Sequence, residues 1–237
     1  MRVTEARGND GPAQGREGGG MRFTVAIDGP AAAGKGTIAR AVARSLGVPH
    51  LDTGMLYRAV ALESLNGAEP AEAAQRLDPS RLGDPRLRAP NVAGEASRVA
   101  AIPEVRAALL RLQQDFARQE GGAVLDGRDI GTAVCPEAEA KLFVTASAQA
   151  RAERRHAEDL AAGEDSRLDR VLAAVLERDA RDAGRAVSPL RAAADAVVLD
   201  TTGRSVEEAV GEALRLVRDR LREAGIGPGI GPGFGDP

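Results

Sequence analysis

Residues 29–37 of this 237-residue chain, Gly29, Pro30, Ala31, Ala32, Ala33, Gly34, Lys35, Gly36 and Thr37, have the types and spacing that cradle a polyphosphate. A glycine-rich turn lets successive backbone N–H groups face an anion, and the helix it opens adds a positive dipole end. Lys35 supplies a point charge for β- and γ-phosphates. The strict pattern has Ser or Thr directly after the lysine. Here Gly36 intervenes and Thr37 follows, so Thr37 is expected at the α-phosphate and no direct metal ligand is assigned. The plain alternative is a glycine-rich turn with an incidental lysine. Against it, the chain has only two lysines, Lys35 and Lys141, among 32 basic residues. A compact ammonium fits between phosphate oxygens where a planar guanidinium would crowd the turn.

Two further sets of residues could do chemistry. Arg58, Arg106, Arg128, Arg178 and Arg185 could offset the charge of a second phosphorylated ligand, since guanidinium binds phosphate bidentately. Asp28, Asp52 and Asp126 sit near strand ends. Mg²⁺ keeps several waters and needs one nearby carboxylate, so one of the three would orient metal-bound water. Capping of the following helix is the alternative for Asp52. Neither His50 nor His156 has a partner pattern, and neither is assigned a role.

These residues need a scaffold, and the apolar pattern supplies one. Short apolar runs at 23–27, 48–51, 123–125, 142–145 and 196–199 alternate with helical sequence, the signature of βαβ units. The expected fold is α/β: a five-stranded parallel sheet with helices on both faces, whose ligands bind at the carboxyl ends of the strands. Helices are expected over 35–46, from Met55, over 92–102, from Pro103, and over 148–162, 167–181 and 206–222. Residues 66–91 read as a loose connection with one weak helical turn near 71–77. Residues 1–20 read as a disordered extension and 225–237 as a flexible Gly/Pro tail, leaving 21–224 as the folded body.

Composition narrows the function. Aromatic content of 2% argues against base-stacking platforms for single-stranded nucleic acid, and a net charge of −3 gives no basic field for DNA or lipid. One cysteine, Cys135, excludes an intrachain disulfide and any multi-cysteine zinc site. No apolar run approaches the ~20 residues that span a bilayer. A cytoplasmic, monomeric enzyme acting on small molecules is expected, with no nucleic-acid or membrane partner.

Four segments in order, GPAAAGKGT (29–37), LDTGMLYR (51–58), DGRDIGT (126–132) and RDARDAGRAVSPL (178–190), resemble bacterial cytidylate kinase across roughly residues 22–222. The resemblance implies transfer of the γ-phosphoryl of ATP to CMP or dCMP with Mg²⁺. It also implies a P-loop core, a helical monophosphate-binding insertion (about 54–119) and a short lid (about 156–167) with Gly163 as a flexible point. By the same resemblance Lys35, Arg128, Arg154 and Arg185 would be catalytic. Arg58 and Arg128 would hold the acceptor phosphate, and Thr53, Ser97, Arg106 and Asp129 would line the base pocket. Arg178, Asp182 and Arg185 would bind ribose and phosphate, while Arg151, Arg154 and Arg155 would approach ATP as the lid closes.

Asp129 is the discriminating residue on chemical grounds. Its carboxylate can accept from the N4 amino group of cytosine, whereas uracil presents a lone pair to it. A structural salt bridge to an arginine is the alternative. Two departures stand out: the stretch between Arg58 and Ser97 is shorter than in longer bacterial versions and lacks strand patterning, and Thr53 stands where serine is common. Other readings are a P-loop kinase acting on a metabolite hydroxyl and a nucleotide-dependent switch. The first leaves the DGRD and RDARD segments unexplained, and the second lacks an Asn-Lys-x-Asp signature.

Overall fold

The computed structural model describes residues 21–227; the expected disordered extension over 1–20 and the tail beyond 227 lie outside the described residues. Five parallel strands, β1 (Thr24–Asp28), β2 (His50–Asp52), β3 (Ala123–Gly127), β4 (Ala140–Thr145) and β5 (Val197–Asp200), form one sheet in the order β2-β3-β1-β4-β5. All five residues of β1 are buried, because helices cover both faces of a parallel sheet. The pleat still sorts them: Val25 and Ile27 join one core, Ala26 the other.

Helix α1 (Lys35–Leu46) packs Ile38, Val42 and Leu46 into the first core, together with Ala213, Val217 and Leu221 of α8 (Val206–Glu223). Ser205 and Glu208 close a capping box on α8. The second core takes α2 (Thr53–Leu65), α3 (Pro70–Gln75), α4 (Pro90–Val99) and α5 (Pro103–Ala117), with Leu56, Val60, Val99 and Leu109 buried against Leu125. The last two helices, α6 (Ala148–Ala161) and α7 (Leu168–Ala183), pack on each other beside the carboxyl end of the sheet.

Three details differ from expectation. Residues 66–91 are ordered: α3 is followed by 3₁₀ turns at Pro79–Gly83 and Pro85–Arg88. Each of these segments has proline in its first turn and an acidic cap before it, with Glu69, Asp78 and Asp84 accepting the amides of Glu72, Ser80 and Arg86. Proline costs nothing where the amide has no helical acceptor, so acid-proline pairs make compact starts of what composition alone suggested was loose. Second, the chain after Asp129 forms one turn of π-helix, Ile130–Val134. Third, Ile226 is buried in the first core and its amide reaches Leu221 O at 2.8 Å, so the folded body continues past Ala224.

Candidate active site

The strand order places β1 between β3 and β4, so the chain winds in both directions from it. The crevice at such a reversal is where sheets of this kind bind ligands. A cleft of about 570 Å³ opens there, lined by the P-loop, the starts of α2 and β3's following turn, and faces of α4 and α7.

The P-loop floor is set by glycines. Gly29 has φ +145, and a Cβ there would lie 1.9 Å from the Val144 carbonyl oxygen of β4. Gly34, at φ +89, precedes α1 in a left-handed conformation, leaving the first-turn amides of α1 without intrahelical acceptors. Ala31, Ala32, Lys35 and Gly36 face the cleft. Pro30 accepts from the Lys35 ammonium at 2.9 Å, Ala33 O accepts from Thr201 Oγ1 at 3.1 Å, and Thr37 is exposed. Burial pushes the Lys35 ammonium down to about 7, and the nearby Arg128 adds to the effect.

Opposite the loop, four guanidiniums converge. Arg128 Nε donates to Asp182 Oδ2 at 3.1 Å, Arg185 Nη2 donates to Asp182 Oδ1 at 2.5 Å, and Arg178 Nε lies 3.9 Å from Asp182. Ser97 Oγ reaches the same carboxylate at 3.3 Å. Burial alone would raise the Asp182 carboxyl, but Arg128, Arg185 and Arg178 together hold it below the usual range. Asp182 is 1% exposed, so in the ligand-free chain it serves the arginines rather than the open cleft. Arg58 on α2 is aimed by the Leu87 carbonyl, which accepts from Nη1 at 2.8 Å. Burial, then the other guanidiniums, pushes Arg178 down to about 10, and burial lowers Arg58 and Arg185 as well. Buried Nε atoms of Arg178 and Arg185 lack hydrogen-bond partners. Three arginines share one carboxylate, which leaves an excess of positive charge.

Arg106 and Asp129 form a close ion pair beside Tyr57, whose ring centre lies 5.9 Å from the Arg106 guanidinium carbon. The salt bridge that was the alternative for Asp129 is therefore present. Thr53 is buried, and its hydroxyl donates to Asp126 O at 2.9 Å, tying α2 to β3. Arg154 is turned from the cleft and donates to Thr201 O at 2.6 Å. Arg151 is buried on Asp179 at 2.5 Å, and Arg155 lines the cleft while paired to Asp159 at 2.8 Å.

The three strand-end aspartates separate clearly. Both oxygens of Asp28 accept amides, from Ile130 at 2.8 Å and Gly131 at 2.7 Å. Asp126 bonds His50 Nε2 at 2.7 Å, a pairing that gives His50 the partner its sequence context lacked. Asp52 makes no capping hydrogen bond to α2, so the capping alternative is corrected. It faces the cleft beside Asp126, its register partner, and burial followed by Asp126 raises its carboxyl. Two carboxylates side by side near the P-loop suit a hydrated divalent cation. Among the described residues no group of three or more His, Cys, Asp or Glu could hold a metal by protein ligands alone.

A sheet wound in both directions from a P-loop strand, with an arginine-lined cleft facing the loop, defines a P-loop phosphotransferase. The chain matches the family model described as Cytidylate kinase over residues 25–219. It is 56% identical over 204 residues to "Cytidylate kinase" of Cereibacter sphaeroides strain KD131, covering 86% of this chain and 98% of that protein. It is likewise 56% identical over 211 residues to "Cytidylate kinase" of Rhodospirillum rubrum, covering 84% and 99%. A solved structure of an uncharacterized protein from Eubacterium ventriosum shares the fold, with a TM-score of 0.52 and 13% identity over 83% of this chain and 98% of that one. The chain belongs to the cytidylate kinase family.

Proposed function

We propose that the protein transfers the γ-phosphoryl group of ATP to CMP and dCMP. The observation that carries this is the convergence of Arg58, Arg128, Arg178 and Arg185 on a cleft whose near wall holds Lys35. Phosphoryl transfer needs alignment and charge neutralisation more than covalent help. The P-loop amides and Lys35 hold the donor's β- and γ-phosphates, with Thr37 at the α-phosphate. The four guanidiniums hold the acceptor phosphate in line, offsetting repulsion between two anionic ligands. Asp129 and Arg106, with Ser97, read the base. Cytosine's amino group offers a donor to the Asp129 carboxylate that uracil lacks.

Asp52 and Asp126 would hold the water shell of Mg²⁺, which would supply charge neutralisation at the transferred phosphoryl group. Closure of the α6–α7 hairpin would swing Arg155 and Arg154 toward the donor, completing the site only when both nucleotides are present. Gly163, at φ +77, lies in the connection between those helices. The same reading makes the protein a cytoplasmic monomer with small-molecule partners. Among the described residues no helix is long and apolar enough to cross a membrane.

A coupled ADP-release assay with CMP, dCMP, UMP and AMP tests the proposal. Turnover is expected with CMP and dCMP, with UMP well behind. Turnover of AMP with none of CMP would overturn it.

A further inference from the structure

The turn after Asp129 is built in an unusual way. Asp129 stands at the N-cap of the π-turn Ile130–Val134, yet its side chain makes no capping hydrogen bond. Aspartate is among the best N-cap residues because its carboxylate satisfies first-turn amides that have no acceptor in the helix. Here the amides of Ile130 and Gly131 are satisfied from another strand, by Asp28 at the end of β1, through one oxygen each at 2.8 and 2.7 Å. Asp28 is 5% exposed, so no water need compete for those bonds. The Asp129 carboxylate, relieved of capping, points instead to Arg106 in the cleft.

We propose that Asp28 is a positioning residue for base selection: by accepting the two amides that open this turn, it keeps the Asp129 carboxylate facing the acceptor's base. The inference rests on the reading of Asp129 as the base-checking group. Asp28 immediately precedes Gly29, so one carboxylate ties the donor loop to the turn that reads the acceptor. Gly131 belongs to the device. A Cβ at that position would sit 3.2 Å from Lys141 Cδ and 3.4 Å from Asp28 Oδ2, crowding the amide that Asp28 receives. Replacing the carboxylate by an amide puts a donor against an N–H. One N–H is then orphaned, and a buried unsatisfied donor is costly enough to draw a new acceptor. The N-cap carboxylate of Asp129 adjoins that turn and would be drawn from Arg106 toward it.

The test measures kcat/KM for CMP and for UMP in the wild type, Asp28→Asn, Asp129→Ala and the double variant, with circular dichroism to establish folding. Asp28→Asn is expected to lower the CMP-to-UMP ratio about tenfold or more and to raise KM for CMP, with KM for ATP within about twofold of wild type. In the Asp129→Ala background it is expected to change the ratio no further, because two parts of one device are non-additive. A folded Asp28→Asn protein that keeps the wild-type ratio overturns the inference. So does equal loss for CMP, UMP and ATP, the mark of damage to the adjoining loop. An unchanged ratio in Asp129→Ala overturns the base-checking reading itself, which separates the two failures.

If Asp28→Asn does not fold, the wild type decides. Burial first, offset by the two amides, places the Asp28 carboxyl at about 6, with Asp129 on the turn, Lys35 on α1, Cys135 at the turn's end and Lys141 on β4 as its ionisable surroundings. Protonation turns one accepting oxygen into a donor, so the CMP-to-UMP ratio should fall as pH drops through about 6. The phosphates of the two acceptors titrate alike and cancel in that ratio. A flat ratio overturns the inference.

Discussion

At the scale of residues, the site is a problem in charge. Lys35 is buried next to Arg128, and burial favours its neutral form, so its ammonium is pushed down to about 7. Below that pH it is charged, and above it largely neutral. A bound polyphosphate restores the charged form. Nucleotide binding at about pH 8 should therefore take up close to one proton, and at about pH 6 almost none. Calorimetry in buffers of different ionisation enthalpy reads this directly, and Lys35→Met should abolish the uptake. Lys35→Ala should lower kcat by about a hundredfold or more, the usual cost of removing one preorganised charge partner, with the melting temperature little changed. Near-normal kcat would remove Lys35 from the chemistry.

The phosphate loop, Arg58 and Arg128 follow strands β1, β2 and β3 closely enough for the sequence to place them at the cleft, whereas Arg106 on α5 and Arg178 on α7 reach it from helices. Asp182 enters the cluster through the resemblance alone, and its burial under three guanidiniums has no local sign in the sequence. Asp28 and His50 were opaque for a different reason. Their partners lie 102 and 76 residues away, and a single aspartate or histidine at a strand end carries no local sign of what it will meet.

At the scale of elements, each strand end delivers its chemistry through a short connection. β2 runs directly into α2 without a loop, which brings Asp52, Thr53 and Arg58 to the cleft together. Thr53 holds that junction to β3, and Gly127 must lack a side chain because a Cβ would lie 2.6 Å from the Thr53 hydroxyl. The periodic helices could be read from sequence because their apolar stripes are packed. α7 is the instructive exception. Leu168, Val171, Leu172, Val175 and Leu176 have helical spacing, but Val175 is the only buried apolar residue of α7 while Leu176 is 51% exposed. A helix that borders an open cleft cannot bury a full stripe, and Val171 and Ala174 line that cleft. By contrast α8 is pure scaffold. Ser205→Ala should remove its capping box and cost about 1 kcal/mol of stability, with kcat unchanged. Denaturant unfolding and the ADP-release assay together check this, and a fall in kcat would tie α8 to the site.

At the scale of the whole molecule, the two cores have separate duties. The core under α1 and α8 anchors the glycine-rich loop, and the core under α2, α4 and α5 anchors the wall that carries Arg58 and Arg106. The cleft lies along the seam, where β1 and β3 meet. This explains how an α/β fold with a helical insertion could be anticipated from alternating apolar runs, while the order of 66–91 could not. That segment is held by acidic caps and prolines rather than by a periodic stripe.

The central claim is that Arg58, Arg128, Arg178 and Arg185 gather an acceptor phosphate opposite the glycine-rich loop while Asp129 checks the base. A crystal structure with CMP bound tests it most directly. The account predicts the CMP phosphate within hydrogen-bond distance of these guanidiniums and the cytosine amino group donating to Asp129. CMP bound elsewhere, with Arg128, Arg178 and Arg185 still on Asp182, Arg58 still on the Leu87 carbonyl and Asp129 apart from the base, is the opposite result.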